Sequence, residues 1–287
     1  MDIEVKVPAT IANLGPGFDC LGVAVGAHLS LRFTESKETE IVGKGHLRKV
    51  ADNYSHRAFV AAYAAAHIEA PEVRIETLDY YPSARGMGAS ASAIVAGLVA
   101  ARMAGDLDLS DQDLASLAIR IEGHGDNVLP ALFGGLVLNS HDGWMRFEPS
   151  SNLAPIIFVA REKFRTEAAR RVLPVDVPRE DAVANAASTA ALVAILTDRG
   201  PVQGLMMAME DRVHEPYRLP LMPETLELHQ ALRTQGLPTA LSGAGPSLIS
   251  IVDARSLDES AALAAKIVPS GWKVLTPGWD LSGAQVR

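Results

Sequence analysis

The stretch Tyr81–Gly97, YPSARGMGASASAIVAG, constrains this chain more than any other. Ahead of it, Val73 to Leu78 reads as a strand, and Pro82 stops that strand. Gly86 and Gly88 then flank Met87, and Ser90 and Ser92 alternate with alanines. From there the chain stays apolar or small through Met103. Two close glycines open backbone conformations closed to other residues and let a ligand approach the main chain. The small residues after them can start a helix, with Ser90 and Ser92 offering hydroxyls to its open N–H groups. A helix N-terminus preceded by glycines is an anion site, because free N–H groups and the positive end of the dipole point outward. Phosphate is the natural anion for it.

Pattern alone leaves three readings open. One is a plain tight turn into a buried helix. Another is a dinucleotide fingerprint, since Gly86-x-Gly88-x-x-Ala91 fits G-x-G-x-x-G/A. That fingerprint follows its strand directly, and here Pro82-Ser83-Ala84-Arg85 intervenes. The last is a nucleoside-triphosphate loop, though not a Walker A loop, for the stretch has no lysine.

A resemblance selects among them. Pro82-x-x-x-Gly86-Met87-Gly88-Ala89-Ser90-Ala91-Ser92 is similar to the phosphate loop of the GHMP small-molecule kinases, usually P-x-x-x-G-L-G-S-S-A-A. Met87 stands for Leu, and Ala89 removes the first serine hydroxyl. Near the N-terminus, Gly15-Pro16-Gly17 forces a turn, and by composition Asn13 and Asp19 are ordinary turn residues. Yet the run from Pro8 through Asp19 to Ala24 resembles PATxANLGPGFDxLGxA, the signature of the homoserine kinase family within the GHMP superfamily. Glu122-Gly-His124-Gly-Asp126-Asn127 through Gly135 is similar to that family's EGHPDNVAPALFGG. Gly125 replaces its proline, which is expected to loosen the turn, and Leu129 replaces an alanine. Thr166 to Pro174 resembles TxEARxxLP and places the family arginine at Arg170. His214 to Arg218 resembles HxPYR, and Ser242 to Ser247 matches SGAGPS.

Composition bounds the rest. The 287 residues suffice for two modest domains, and 48% hydrophobic residues supply a core. A net charge of −8 argues against a nucleic-acid or anionic-membrane surface, so a polyanion must be held by local groups. The lone Cys20 excludes an intrachain disulfide and a cysteine metal cluster, suits a reducing cytoplasm, and reads as a small buried residue. Met1 leads straight into a charged alternating strand, so no signal peptide is expected. No apolar run reaches membrane-spanning length.

In order, the pattern predicts a strand at Ile3, Val5 and Val7, another over 21–33, and a polar hairpin over 37–49. A helix over 53–67 would carry Phe59, Val60 and Tyr63 on one face, with Asn53 as its N-cap. Ser110 and Asp113 form a capping box for a helix reaching Glu122, and Asp126 or Asn127 would cap the next one. A change of character near Ser150 sets a domain boundary there. A strand over 155–161, a helix over 179–198 and a β-α-β end (247–253, 257–267, 272–276) complete the chain.

The resemblance implies an α+β GHMP kinase fold. Residues 1–150 would form a ribosomal-S5-like ATP-binding domain and 151–287 a ferredoxin-like domain. It implies an ATP-dependent enzyme that phosphorylates the side-chain hydroxyl of L-homoserine in threonine biosynthesis. Pro82, Ser83, Ala84, Arg85, Gly86, Met87, Gly88, Ala89, Ser90, Ala91 and Ser92 would cradle ATP, with Asn53 near the adenine. Ser90 and Glu122 would hold Mg²⁺, and Asn127 would lie by the transferring phosphoryl. Asp19 suits the substrate ammonium, Arg170 and Arg218 its carboxylate, and Asn13 and His124 the hydroxyl end. Asp126 is the nearby candidate base, though the family requires none. The family reading adds a homodimer, a cytoplasmic location, and neither nucleic acid nor membrane as partner. Two alternatives stand beside it: a kinase of another small alcohol such as a mevalonate-like acid, and a catalytically silent ATP sensor.

Overall fold

The computed structural model describes residues 1–43, 50–82, 85–164 and 166–287. The alternation that begins at Ile3 runs well past Val7: β1 (Asp2–Asn13) pairs antiparallel with β2 (Gly17–Glu35) along its length. The pairing slips between Pro8 and Ala9, where β2 carries Gly26 and Ala27 as extra residues. Such a slip bends a strand and changes the face its side chains take. Accordingly Val5 and Val7 join the cluster under the helices, while Ala9 and Ile11 join the cluster facing the second sheet. Beyond β2 come β3 (Glu40–Val42) and β4 (Val73–Asp79); β4 pairs with the C-terminal part of β2, and β3 lies parallel to β4 at the edge. This corrects the hairpin expected over 37–49. Residues 40–42 run parallel to their partner, which a local hairpin cannot do, and 44–49 lie outside the described residues.

Four helices cover this sheet: α1 (Tyr54–Ala65), α2 (Ala89–Ala104), α3 (Asp111–Glu122) and α4 (Gly125–Phe133). The small residues of α2 let α1 approach closely; a Cβ on Gly97 would lie 2.1 Å from the Ser55 carbonyl oxygen. Val60 does not share the face of Phe59 and Tyr63. It is exposed, because consecutive helical residues point about 100° apart. The capping box forms as expected, with both Ser110 and Asp113 side chains engaged. The cap of α4, however, is His124, so Asp126 and Asn127 sit inside its first turn. A hairpin that pattern reading missed, β5 (Leu136–Ser140) and β6 (Gly143–Phe147), adds to the N-terminal part of β2.

The second sheet starts at β7 (Leu153–Val159). After it come α5 (Thr166–Arg171), α6 (Arg179–Leu196), α7 (Leu205–Ala208), α8 (Glu215–Arg218), α9 (Pro223–Thr234), β8 (Thr239–Leu241), β9 (Leu248–Asp253), α10 (Leu257–Ala265) and β10 (Lys273–Leu275). The strand order β10-β7-β9-β8 puts β7 between β9 and β10, the split β-α-β of a ferredoxin-like layer. One face packs Phe158 and Leu248 against Leu228, Leu232 and Ala264; the other sets Ile157 and Ile249 against Ile11 and Val23. The chain then returns to the first sheet, where β11 (Gln285–Val286) pairs with β1. No helix among the described residues is long and apolar enough to cross a membrane.

One buried acid makes stability depend on pH. Burial, then the charge of Asp211, pushes the Glu215 carboxyl up to about 8, while its Oε1 accepts from the Leu241 N–H at 2.6 Å. Unfolded, it ionises near roughly 4.3. Between those values the unfolded chain releases a proton the folded chain keeps, so stability falls as pH rises through that window. The Tm of Glu215→Gln relative to wild type should therefore climb from pH 5 to pH 8, by roughly 2–4 °C per pH unit. A constant difference across that range would show that Glu215 ionises in the fold as it does in solution.

Candidate active site

Gly86 and Gly88 have φ of +81° and +66°, and Gly88 is the N-cap of α2. A Cβ on Gly86 would lie 2.0 Å from the Ser242 carbonyl oxygen. One on Gly88 would lie 2.0 Å from Thr10 Oγ1 and 2.8 Å from Asn127 Oδ1. Glycine is thus demanded twice, by left-handed backbone and by neighbouring protein atoms. The loop is pinned from both sides: the Thr10 N–H donates to the Met87 carbonyl (3.2 Å), and Ser242 Oγ donates to the Gly86 carbonyl (2.6 Å). Ala91 and Ser92 are buried, and Ser92 Oγ donates inward to the Pro8 carbonyl (2.7 Å) beside the Tyr81 hydroxyl. Arg85 turns its guanidinium to the Ala160 and Arg161 carbonyls at 2.7 and 2.8 Å. The side chains of Pro82, Arg85, Ala91 and Ser92 therefore do not line the cleft beside the loop, and Ser83 and Ala84 lie outside the described residues.

That cleft is a cavity of about 640 Å³, within the range of small-ligand sites. Residues far apart in sequence meet on its wall. Asn13 and Asp19 come from the β1–β2 turn, Ser90 from α2, and Glu122, His124, Asp126 and Asn127 from the α3–α4 junction; Arg170 and Arg218 arrive from α5 and α8. Gly86, Met87, Gly88, Ala89 and Asn53 line it too, and Asn53 also caps α1 by accepting from the His56 N–H (2.9 Å). Ser90 Oγ donates to Glu122 Oε1 at 2.7 Å. Burial raises the Glu122 pKa, with the Ser90 bond pulling the other way. For His124, burial works downward, but the hydrogen bond and charge of Asp126 overcome it and the net shift is up. Among the described residues no three His, Cys, Asp or Glu gather as a ligand cluster. Ser90 and Glu122 offer two hard oxygen donors, a set that fits Mg²⁺ when phosphate oxygens and water complete the shell.

On the same cavity Arg170 grips Asp19 through two parallel bonds, each 2.9 Å, with both side chains partly exposed. The two residues expected to take opposite ends of an amino acid thus hold each other. Arg218 is different. It is 2% exposed, donates to the Ala169 carbonyl (3.2 Å) and to His214 Nδ1 (3.2 Å), and lies over the Phe18 ring. His214 in turn donates from Nε2 to the Gly15 carbonyl (2.8 Å), so this buried group braces the turn that carries Asp19. Asn13 is engaged as well: its Nδ2 donates to the Gly243 carbonyl (2.8 Å) and its Oδ1 accepts from the Asp19 N–H (3.0 Å). Burial, followed by the charges of Asp126 and Asp19, pushes the Cys20 thiol up, away from nucleophilic use.

Family models for the N-terminal and C-terminal domains of GHMP kinases match residues 53–135 and 190–272. A homoserine kinase from Streptomyces avermitilis is 39% identical over 296 residues, covering 99% of this chain and 95% of its own. One from Moorella thermoacetica is 37% identical, covering 94% of each. The chain belongs to the homoserine kinase family. A solved homoserine kinase from Cytophaga hutchinsonii superposes with a TM-score of 0.86 at 26% identity, covering 100% of this chain and 97% of that one. Membership in this family makes the chain an ATP-using kinase of the GHMP fold. Several cavity residues of this homoserine kinase family member carried no motif signal. Leu29, Leu31, Ile41, Ile75, Thr77 and Tyr80 line it, as do Lys163 and Phe164. Alternation in β2 and β4 marks Leu29, Leu31, Ile75 and Thr77 as strand residues, but only the folded sheet shows which of them face a cavity.

Proposed function

We propose that this chain transfers the γ-phosphoryl group of ATP to the side-chain hydroxyl of L-homoserine, giving O-phospho-L-homoserine and ADP in threonine biosynthesis. The hydroxyl oxygen forms the new P–O bond, the bond to the β,γ-bridging oxygen breaks, and the hydroxyl proton is released. The observation that carries this reading is the pairing of Asp19 with Arg170, one complement for each end of a zwitterion, on the same cavity as the glycine-bounded loop. A mevalonate-like acid has no use for Asp19. In this reading the loop backbone from Gly86 to Ser90 cradles the phosphates, and the apolar lining residues Leu29, Leu31, Ile41 and Ile75, with Asn53, take the base. Ser90 and Glu122 would hold Mg²⁺, whose charge would offset that of the phosphates. Asn127 addresses the transferring phosphoryl; Asp19, Arg170 and Arg218 orient the amino acid; His124, held by Asp126, stands near the hydroxyl with Asn13 behind it. Positioning and charge stabilisation are the main demands of phosphoryl transfer, so a dedicated base is not needed.

Residues 1–150 and 151–287 serve as the two domains, with the strand at 285–286 reaching back into the first sheet. The net charge of −8 and single cysteine suit a cytoplasmic enzyme with no nucleic-acid or membrane partner, and a homodimer is the expected assembly. The test is ATP-dependent phosphorylation of homoserine, serine, threonine and mevalonate side by side. Homoserine should be the preferred acceptor. Preference for mevalonate would replace the reading with another alcohol kinase, and no turnover on any alcohol would leave an ATP sensor.

A further inference from the structure

We infer that Thr10 is a positioning residue for the transfer: it ties the Asn127 carbonyl oxygen beneath the phosphate loop, so that the amide NH₂, not the oxygen, is presented to the cavity. The inference rests on the kinase reading above. Thr10 is fully buried, and its hydroxyl donates to Asn127 Oδ1 at 2.8 Å. Its Oγ1 makes no other hydrogen bond among the described residues. With the amide reversed, Nδ2 would donate to Thr10 and the hydroxyl proton would lose its acceptor, leaving a buried donor unpaired. The neighbour therefore fixes the amide, and Nδ2 is left for the cavity, which Asn127 lines from the first turn of α4.

The pair also lies directly beneath the loop. A Cβ on Gly88 would strike both Thr10 Oγ1 and Asn127 Oδ1. The register slip between Pro8 and Ala9 gives Thr10 this place: Ala9 and Ile11 turn to the second sheet, and Thr10, between them, turns to the helix side. An amide NH₂ attracts phosphoryl oxygens, whereas a carbonyl oxygen repels them. A donor aimed in advance at the oxygens that carry charge in the transition state speeds the reaction without reorganisation at the moment of transfer. Thr10 would touch neither substrate.

Steady-state kinetics of Thr10→Val, Thr10→Ser, Asn127→Ala and Thr10→Val/Asn127→Ala test this against wild type. Thr10→Val keeps the shape and removes the hydroxyl. It should lower kcat roughly tenfold to hundredfold while the homoserine KM and the ATP Kd move less than about twofold. Thr10→Ser should restore kcat to within a few-fold of wild type. In the Asn127→Ala background, Thr10→Val should cost nothing more. Wild-type kcat in Thr10→Val, a serine variant as slow as the valine one, or a full further loss in the Asn127→Ala background would each overturn the inference. A second readout does not depend on homoserine or on turnover. The Asn127 side-chain NH₂ resonance should shift when a non-hydrolysable ATP analogue is added to wild type, and Thr10→Ser should keep that shift. An unmoved resonance overturns the inference even if Thr10→Val fails to fold. Wild type inactive on homoserine sinks the kinase reading, and the resonance then still decides the orientation of Asn127.

Discussion

Gly88→Val will cut phosphoryl transfer by roughly 10²–10³-fold or more, the scale of losing a preorganised set of charge-stabilising donors. The cause is protein packing as much as lost phosphate space. The new Cβ would begin 2.0 Å from Thr10 Oγ1 and 2.8 Å from Asn127 Oδ1, so the start of α2 must lift away from β1. The φ of +66° adds strain, because a β-branched residue is poorly tolerated in left-handed backbone. Overpacking of this kind costs about 1–3 kcal/mol, so a lower Tm should accompany the lost activity. Turnover, ATP calorimetry and thermal melts on one preparation check it. Turnover within tenfold of wild type would mean that the loop moves aside freely and that its contacts with Thr10 and Asn127 are incidental.

Asp19→Asn should divide ligands by charge. Asp19 and Arg170 are paired at 2.9 Å. A zwitterion can exchange that pair for two new ones: its ammonium meets Asp19 and its carboxylate meets Arg170. A ligand with a carboxylate alone, such as 4-hydroxybutyrate, must draw Arg170 away and leave Asp19 without a cation. In the variant the ammonium loses its partner, while Arg170 becomes easier to recruit. Homoserine should bind more weakly, and 4-hydroxybutyrate should bind as well as before or slightly better. The coupling between the two changes should reach roughly 1–3 kcal/mol, modest because the pair is partly exposed. Calorimetry with both ligands on both proteins gives it directly. Equal losses for the two ligands would reduce Asp19 to a shaper of the turn.

Local chemistry made part of this molecule legible. The capping box at Ser110 and Asp113 is written in adjacent residues, and so are the strand ahead of Pro82 and the helix after Gly88. Motif resemblance named Asn13, Asp19, Ser90, Glu122, His124, Asn127, Arg170 and Arg218, which line one cavity. It could not grade them. Arg170 and Arg218 look alike as letters, yet one pairs with Asp19 on the cavity and the other is locked into a buried group with His214 and Phe18. Asn13 looks free to meet a ligand, but both ends of its amide are already bonded within the protein. Thr10 stands within the N-terminal motif but is given no role by it, because a threonine within a strand carries no local sign of a partner 117 positions later. The return of the chain to β1 escaped notice for the same reason: two residues are too short a strand to show a period.

The slip in β1 limits how such a chain can change over evolutionary time. Upstream of Pro8 the strand answers to the helices; downstream, Ala9 and Ile11 answer to the second sheet and Thr10 to Asn127. Substituting one residue disturbs one of these partners. Losing or gaining one between Val7 and Asn13 would exchange inward and outward positions for everything on one side of it. Single-residue insertions and deletions therefore upset many partners of this segment at once, whereas a substitution upsets one. Drift in the letters of β1 is the easier path for descendants of this sequence.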